Sequence, residues 1–171
     1  MTKIGLLSDT HGWLHPDAIG YLNNCHEIWH AGDFGSMDII ATLEKLKPLR
    51  GVWGNIDAPA IRHRFSEDLF FTCEGVNVYM RHIGGYPGRY APGVKNKIQQ
   101  HSSCLFISGH SHILKIQYDE QLQCLHINPG ALGNQGWHQM RTMVQFTIHQ
   151  NNISDCQIIE LGKRGAAVTP I

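Results

Sequence analysis

The sequence predicts an α/β protein, and two observations support this fold class. Short apolar, strand-like segments recur along the whole chain of 171 residues. In the first half they alternate with helical patterns, which favours a parallel sheet covered by helices. In the second half they follow one another through short polar turns, which favours antiparallel pairs. Together the two halves indicate one mixed sheet, or two sheets packed face to face with helices outside.

The first half predicts three strands and two helices in the order βαβαβ. Strands are expected at residues 3–8, 27–31 and 49–53. Pro16 suits the first turn of a helix over residues 16–23. Ser36 is a candidate N-cap for a helix that runs to residue 47, where apolar residues recur at helical spacing.

The second half is richer in strands. Strands are expected at residues 76–83, 104–108, 113–118, 122–127, 141–148 and 153–161, and a short helix at residues 93–101. Polar residues at 119–121 and 150–152 indicate hairpin turns. Because no linker or repeat separates the halves, we predict one domain over residues 1–171, in which residues 162–171 form a tail that frays.

The charge balance excludes some classes of function. Lys and Arg together number 14, and Asp and Glu together also number 14. A neutral chain does not bind nucleic acid through bulk positive charge. With 42% hydrophobic residues, the chain is also not an acidic disordered protein.

The compartment is predicted from targeting signals and cysteines. The apolar segment at residues 4–7 is too short for a signal peptide, and none approaches the roughly 20 apolar residues of a membrane span. The five cysteines contain no C-x-x-C pair, and Cys104 and Cys124 lie among apolar residues, where a buried thiol is expected. These features predict a cytoplasmic protein without membrane association. The oligomeric state stays open, and a homo-oligomer is compatible with the sequence.

Residues that can bind metals follow five predicted strands, each time in a loop that contains glycine. They are Asp9 and His11, then Asp33, then Asn55 and Asp57, then His82, and finally His110 and His112. Sites in open α/β sheets lie beyond the carboxyl ends of strands, so these side chains are expected to converge. Any one of these short motifs alone would be an ordinary turn, but five in one order favour a functional site.

The residue types narrow the chemistry of this site. The candidate ligands are Asp9, His11, Asp33, Asn55, His82, His110 and His112. Seven ligands are too many for one tetrahedral ion, and the absence of cysteine disfavours iron–sulfur and soft-metal sites. Mixed imidazole and carboxylate ligands suit two divalent ions that share a carboxylate. Such a pair is typical of phosphoester hydrolysis.

These motifs resemble those of the calcineurin-like metallophosphoesterases, and in detail their small bacterial and archaeal phosphodiesterase branch. The family pattern is D-x-H, G-D, G-N-x-[DE], a single His, and G-H-x-H. The matching segments are Asp9–His11, Gly32–Asp33, Gly54–Asp57, His82 and Gly109–His112. The resemblance extends from residue 4 to residue 133 and includes the NPGALG turn at its end.

The resemblance implies a four-layer α/β sandwich of two mixed β-sheets flanked by helices. It also implies that Asp9, His11 and His112 bind one metal ion, that Asn55, His82 and His110 bind a second, and that Asp33 bridges them with a water or hydroxide nucleophile. The cofactors would be two divalent ions, with Mn²⁺ first and Ni, Fe, Zn, Co or Mg as alternatives. The substrate would be a small phosphoester, with nucleotide-like esters included, and a phosphodiester is the first candidate.

One position departs from the wider family. Ile56 stands where many members have a His that assists the leaving group. The identity of a general acid is therefore open. Asp33, Asn55 and Asp57 are the candidate catalytic residues, although Asp57 is as well explained as a turn or salt-bridge residue.

The loop at residues 84–93 supplies candidate substrate contacts. Arg89 would meet a phosphate, and Tyr86 or Tyr90 would stack on a base or ring. The alternative is a surface loop fixed by its own aromatic side chains. Two other functions stay open: a phosphomonoesterase, and a non-catalytic scaffold like the retromer subunit that resembles these enzymes.

Overall fold

The computed structural model describes residues 1–166. Over this range the strands are β1 (Thr2–Leu7), β2 (Glu27–His30), β3 (Leu49–Gly51), β4 (Asp68–Cys73), β5 (Val76–Arg81), β6 (Gly85–Tyr86), β7 (Arg89–Tyr90), β8 (Leu105–Ile107), β9 (Leu114–Asp119), β10 (Cys124–Pro129), β11 (Met140–His149) and β12 (Asn152–Lys163). The helices are α1 (Pro16–Asn23), α2 (Met37–Leu46), α3 (Pro59–Arg64) and α4 (Val94–Gln100). None of the described helices is long and apolar enough to cross a membrane.

Ten of the twelve described strands form two mixed five-stranded sheets, and β6 and β7 form a separate antiparallel pair. The first sheet has the order β12-β11-β1-β2-β3, in which β1, β2 and β3 are parallel and β11 is antiparallel to β1. The second has the order β4-β5-β8-β10-β9, in which β5, β8 and β10 are parallel and both edge strands are antiparallel. The parallel first half and the later hairpins are therefore confirmed.

Apolar side chains hold the layers together. Ile4 and Phe146 of the first sheet and Val78 and Ile107 of the second belong to one buried cluster between the sheets. A second cluster joins the first sheet to α1, α2 and α3, and a third joins the second sheet to α4. The predicted four-layer sandwich of two mixed sheets flanked by helices is confirmed.

Local sequence signals set several element ends. Pro16 lies in the first turn of α1, and the Ser36 hydroxyl accepts a hydrogen bond from the Ile39 amide at the start of α2. Gln150 and Asn151, with φ values of 46° and 65°, form the turn between β11 and β12. Left-handed backbone at both turn residues matches the twist of the hairpin strands, which is why Asn is favoured there.

Four elements were absent from the sequence prediction: α3, β4 and the two-residue strands β6 and β7, which lie in the predicted loop at residues 84–93. Helix α3 has only six residues, too few for an apolar periodicity to be visible. Strand β4 lacks apolar–polar alternation because both of its faces are packed. Leu69 and Phe71 join the cluster between the sheets, and Phe70 joins the cluster under α4.

Two sequence expectations need correction. Cys104 is exposed rather than buried, because it precedes β8 instead of lying inside it. The tail does not fray at residue 162: β12 continues to Lys163, which pairs with Met140. Arg141 also donates a hydrogen bond to the Ala166 carbonyl. The remainder of the predicted tail, residues 167–171, lies outside the described residues.

Candidate metal centre

The loops that follow β1, β2, β3, β5 and β8 meet at one end of the sandwich. Backbone hydrogen bonds join them directly. The Asp9 amide donates to the Gly32 carbonyl, and the Gly109 amide donates to the His82 carbonyl, each at 3.0 Å. Because each loop is fixed to a neighbour, the side chains they carry are held in one place.

One group of potential ligands consists of Asp9, His11 and His112, whose ligand atoms all lie within 4.8 Å of one another. The Nε2 atom of His112 lies 3.1 Å from Oδ1 of Asp9. The Asp9 side chain is fully buried, and the His11 and His112 side chains are 11% and 13% exposed. The group is thus buried at the carboxylate and open at the imidazoles.

A second group consists of Asp33, His82 and His110, whose ligand atoms also lie within 4.8 Å of one another. His82 Nε2 lies 3.2 Å from Oδ2 of Asp33 and 3.1 Å from Oδ1 of Asn55. Asp33 Oδ2 also lies 3.6 Å from His11 Nε2 in the first group. The structure therefore brings all seven sequence-predicted ligands together, with Asp33 between the two groups.

Each central carboxylate has one oxygen fixed by backbone and one directed at the histidines. Asp9 Oδ2 accepts hydrogen bonds from the Ser8 hydroxyl and from the His110 amide. Asp33 Oδ1 accepts a hydrogen bond of 3.1 Å from the Ile56 amide, which leaves Oδ2 for His11 and His82. These backbone bonds orient the free oxygens in the way that outer contacts orient metal ligands.

The histidine rings are oriented in a similar way. His82 Nδ1 lies 2.8 Å from the Ala31 carbonyl and must donate to it, since a carbonyl only accepts. Nε2 is then the nitrogen that faces Asp33 and Asn55. Nδ1–H bonded to a backbone carbonyl is the usual arrangement of a metal-binding histidine.

Two buried atoms in the centre have no hydrogen-bond partner among the described residues. They are Oδ1 of Asp9 and Nε2 of His11. A buried polar atom without a partner costs about 1–3 kcal/mol, and more when it is charged. Because a divalent cation would satisfy both atoms and neutralise two carboxylates, the residues present fit the metal ions that the sequence predicts.

The electrostatics keep the central carboxylate ionised. Burial raises the pKa of Asp33, but hydrogen bonds from His82 and from the Ile56 amide outweigh burial and lower this pKa below its ordinary value. Burial also lowers the pKa of His30 to about 3. His30 is therefore neutral, and its Nδ1 accepts a hydrogen bond from the Gly32 amide beside Asp33.

Five of the seven residues have left-handed backbone, which is uncommon outside glycine. They are Asp9, His11, Asp33, His110 and His112, with φ between 48° and 66°. Each costs about 1–3 kcal/mol and is retained only where the surrounding structure fixes it. Asp and His tolerate this conformation better than β-branched residues, which agrees with their use here.

Glycines allow the loops to approach one another closely. A Cβ on Gly32 would lie 2.6 Å from Nδ1 of His82, and a Cβ on Gly54 would overlap the carboxylate of Asp33. Side chains at these two positions would displace the candidate ligands His82 and Asp33. The Gly-Asp and Gly-Asn motifs therefore need glycine at these positions, because any side chain would collide with His82 or Asp33.

The contacts of Asp57 differ from those of a catalytic residue. Its buried carboxylate accepts hydrogen bonds from the amides of Gly35 and Gly54, at 2.9 and 2.8 Å. Both oxygens are used in joining the loops that carry Asp33 and Asn55. We therefore reassign Asp57 from the catalytic set to a positioning role.

The candidate substrate residues separate into two kinds. Tyr86 and Arg89 line a pocket of about 390 Å³ that includes His110. Tyr90 does not line it, because its hydroxyl donates a 2.7 Å hydrogen bond to Asp119 and its ring packs near Phe106. The expectation of a substrate contact at Tyr90 is corrected to a structural role.

Sequence reasoning missed two residues that support the loops. The Arg62 guanidinium donates hydrogen bonds to the carbonyls of Asn55 and Asp57. The Asn128 amide group donates to the Gly109 carbonyl and the Ser111 hydroxyl. Asn128 begins the NPGALG turn, which was the available signal, whereas no sequence signal separates Arg62 from an ordinary surface arginine.

Comparisons with known proteins agree with this geometry. A family model described as a calcineurin-like phosphoesterase superfamily domain matches residues 2–151. A probable metallophosphoesterase of Methanothermobacter thermautotrophicus is 32% identical over 136 residues, which cover 75% of this chain and 76% of that protein.

Two solved structures share the fold at low identity. A predicted phosphoesterase from Streptococcus pneumoniae has a TM-score of 0.66 at 18% identity, covering 99% of this chain and 93% of that one. The zinc complex of Vps29 from Entamoeba histolytica has a TM-score of 0.71 at 13% identity, covering 92% and 98% of the two chains. With the family model and the archaeal relative, these findings show that the chain belongs to the calcineurin-like phosphoesterase superfamily.

Proposed function

We propose that this protein is a phosphodiesterase that uses two divalent metal ions. One observation carries the proposal: two groups of three ligand residues are joined by Asp33, whose Oδ2 lies within 3.6 Å of histidines from both. A carboxylate between two ligand groups is what a dinuclear centre requires.

The residues have distinct roles in this proposal. Asp9, His11 and His112 would hold one ion, His82, His110 and Asn55 the other, and Asp33 both. When bound, the ions would supply positive charge for phosphate oxygens and lower the pKa of a water molecule. Mn²⁺ is the first candidate, and Ni, Fe, Zn, Co and Mg ions are the alternatives.

The residue that follows Asn55 affects whether the leaving group can be protonated. Ile56, the next residue, is 46% exposed and cannot donate a proton. A leaving group that departs from this side receives no proton from that position. We therefore propose that the site favours esters with good leaving groups, such as aryl phosphodiesters.

The preference for diesters over monoesters is supported by the pocket beside the centre. A diester carries a second organic group, and a pocket of about 390 Å³ adjoins His110. Pockets for small molecules typically measure about 300–1,000 Å³. A monoester would leave this space empty.

The test combines metal analysis with a panel of esters. The purified protein is assayed with bis(p-nitrophenyl) phosphate and p-nitrophenyl phosphate in the presence of Mn²⁺, and bound metal is measured by mass spectrometry. We expect two ions per chain and faster hydrolysis of the diester. Asp33→Asn should reduce kcat/KM at least about a thousandfold, which corresponds to about 4 kcal/mol.

Asp38→Asn is the matched control, because Asp38 is an exposed carboxylate in the first turn of α2. It should leave the rate unchanged. Equal rates for wild type and Asp33→Asn would contradict the site assignment. Faster hydrolysis of the monoester would make the protein a phosphomonoesterase.

A second candidate is a non-catalytic scaffold on the same fold. The observation that favours it is exposed apolar surface near the centre: the Trp137 side chain is 99% exposed, and Gly136 before it closely contacts His112. Absence of both bound metal and hydrolysis with every divalent ion would favour this function.

The cysteines of the described chain are all free, and we propose a cytoplasmic location.

A further inference from the structure

The pocket beside the metal centre has a composition unlike the centre itself. Besides His110 of the metal centre, the residues that line it include Ile83, Tyr86, Arg89, Ile113, Lys115 and His126. Its apolar wall includes two isoleucines and an aromatic ring. Because His110 belongs to both sites, a molecule bound at the centre can extend into the pocket without crossing solvent.

The charges of the lining residues are of one sign. Arg89 and Lys115 are cationic, and no carboxylate is among the residues that line this pocket. Lys115 Nζ lies 3.8 Å from the centroid of the Tyr86 ring, so a cation–π contact joins these two lining residues. An aromatic, anionic ester therefore suits the pocket better than a neutral or cationic one.

His126 adds a polar requirement. Its side chain is buried, with 1% exposure, and Nδ1 has no hydrogen-bond partner among the described residues. The Ser108 hydroxyl uses its single proton toward the Gly85 carbonyl, so His126 Nε2–H donates to the Ser108 oxygen at 2.9 Å. The other nitrogen, Nδ1, is then a buried acceptor that needs a donor.

We propose that this pocket binds the nucleobase of a nucleotide phosphodiester, and that an amino group of the base donates to His126. The proposal rests on the proposed phosphodiesterase function and names its substrate class. The phosphodiester lies at the centre, the ring lies along Tyr86 and the isoleucines, and the base N–H satisfies the unpaired nitrogen.

The test uses three p-nitrophenyl esters that share one leaving group. The group retained on phosphate is adenosine, the same nucleoside without its amino group, or methyl. We expect kcat/KM to fall at least tenfold from adenosine to purine riboside, which has hydrogen in place of the amino group, and further to methyl. His126→Leu should remove the difference between the two nucleosides.

Tyr86→Ala tests the apolar wall independently of His126, in case His126→Leu fails to fold. It should reduce the preference for adenosine over methyl at least fivefold. Tyr118→Ala is the matched control, because Tyr118 is an exposed tyrosine on β9 outside the pocket. It should keep the full preference.

A binding measurement separates this proposal from the proposed function. Calorimetry with adenosine monophosphate and ribose 5-phosphate should show tighter binding of the former, and this difference should be lost in Tyr86→Ala. Hydrolysis of all three esters at equal rates would overturn the pocket assignment and leave the phosphodiesterase intact. Base-dependent binding without hydrolysis of any ester would support the pocket and overturn the enzyme.

Discussion

Two clusters in this molecule differ in which cations neutralise their carboxylates. One surrounds Asp68, and the other contains Asp9 and Asp33. On the second sheet, Asp68 accepts hydrogen bonds from Lys97, Arg81 and Tyr79, so protein cations neutralise it. At the strand ends, Asp9 and Asp33 face histidines, and no lysine or arginine of the described chain forms a salt bridge with either. The first cluster is complete without a ligand. The second lacks cations, and we infer that metal ions supply them.

The largest expected effect is on thermal stability in the presence of metal. Each Mn²⁺ ion bound at one hundred times its Kd should stabilise the wild type by about 2.7 kcal/mol. For a chain of this size the melting temperature should rise by about 5–10 °C for each ion bound. The measurement is a thermal scan with Mn²⁺ and with chelator.

His112→Ala should lose most of this rise, and so should Asp9→Asn. These residues follow strands of different sheets, so their loss tests whether metal joins the two sheets. His63→Ala, an exposed histidine on α3, should retain the full rise. An unchanged rise in both ligand variants would place the ion elsewhere and remove the contrast between the two clusters.

A second effect concerns the close approach of the loops around Asp33. Gly54→Ala should destabilise the protein by about 1–3 kcal/mol, because the added Cβ overlaps Asp33 and the loops must move apart. Urea unfolding measures the stability, and the Mn²⁺-dependent rise in melting temperature should also fall. Gly20→Ala is the control: a Cβ there meets no atom within 4 Å, so helix α1 should gain up to about 1 kcal/mol.

The smallest expected effect on stability concerns the cluster around Asp68, whose charge is neutralised by Lys97 and Arg81. Burial raises the pKa of Asp68, but its bonds from Lys97, Tyr79 and Arg81 outweigh burial and lower this pKa. The ionised carboxylate therefore stabilises the fold above about pH 4, the ordinary Asp range, and this contribution is lost as pH falls through the lowered pKa.

Asp68→Asn should cost about 1 kcal/mol at pH 7, measured by urea unfolding, because the charge-assisted hydrogen bonds weaken. The difference from wild type should shrink at acidic pH. It should not depend on Mn²⁺, since this cluster has its own cations. A difference that stays constant from pH 7 to pH 3 would show that the charge of Asp68 contributes nothing.

The convergence of the candidate ligand residues was predictable because each follows a strand within a short motif. Asp-x-His and His-x-His give the spacing, and the parallel order of β1, β2 and β3 brings their ends together. The fold class followed from the same alternation of strands and helices. In both cases each local signal is a short stretch of sequence, and one general rule of α/β topology predicts where these stretches meet.

The positioning contacts were not predictable, because they join residues far apart in sequence. Asp57 reaches back to Gly35, and Tyr90 reaches forward to Asp119. Nothing beside either residue in the sequence distinguishes a buried acceptor or donor from an active group. Strand β4 was not predicted for a different reason. Both of its faces are packed, so it lacks the apolar–polar alternation by which a strand is recognised.

The position of β1 in its sheet affects how this protein is made. Strand β1 lies between β2 and β11, so it pairs with a strand that is far from it in the sequence, in register Ile4 with Phe146. A nascent chain that stops before β11 leaves one edge of β1 unpaired, directly next to the loop that carries Asp9 and His11. Contacts of such long sequence separation slow folding. Loading of metal is therefore expected only after β11 has been synthesised and has paired with β1.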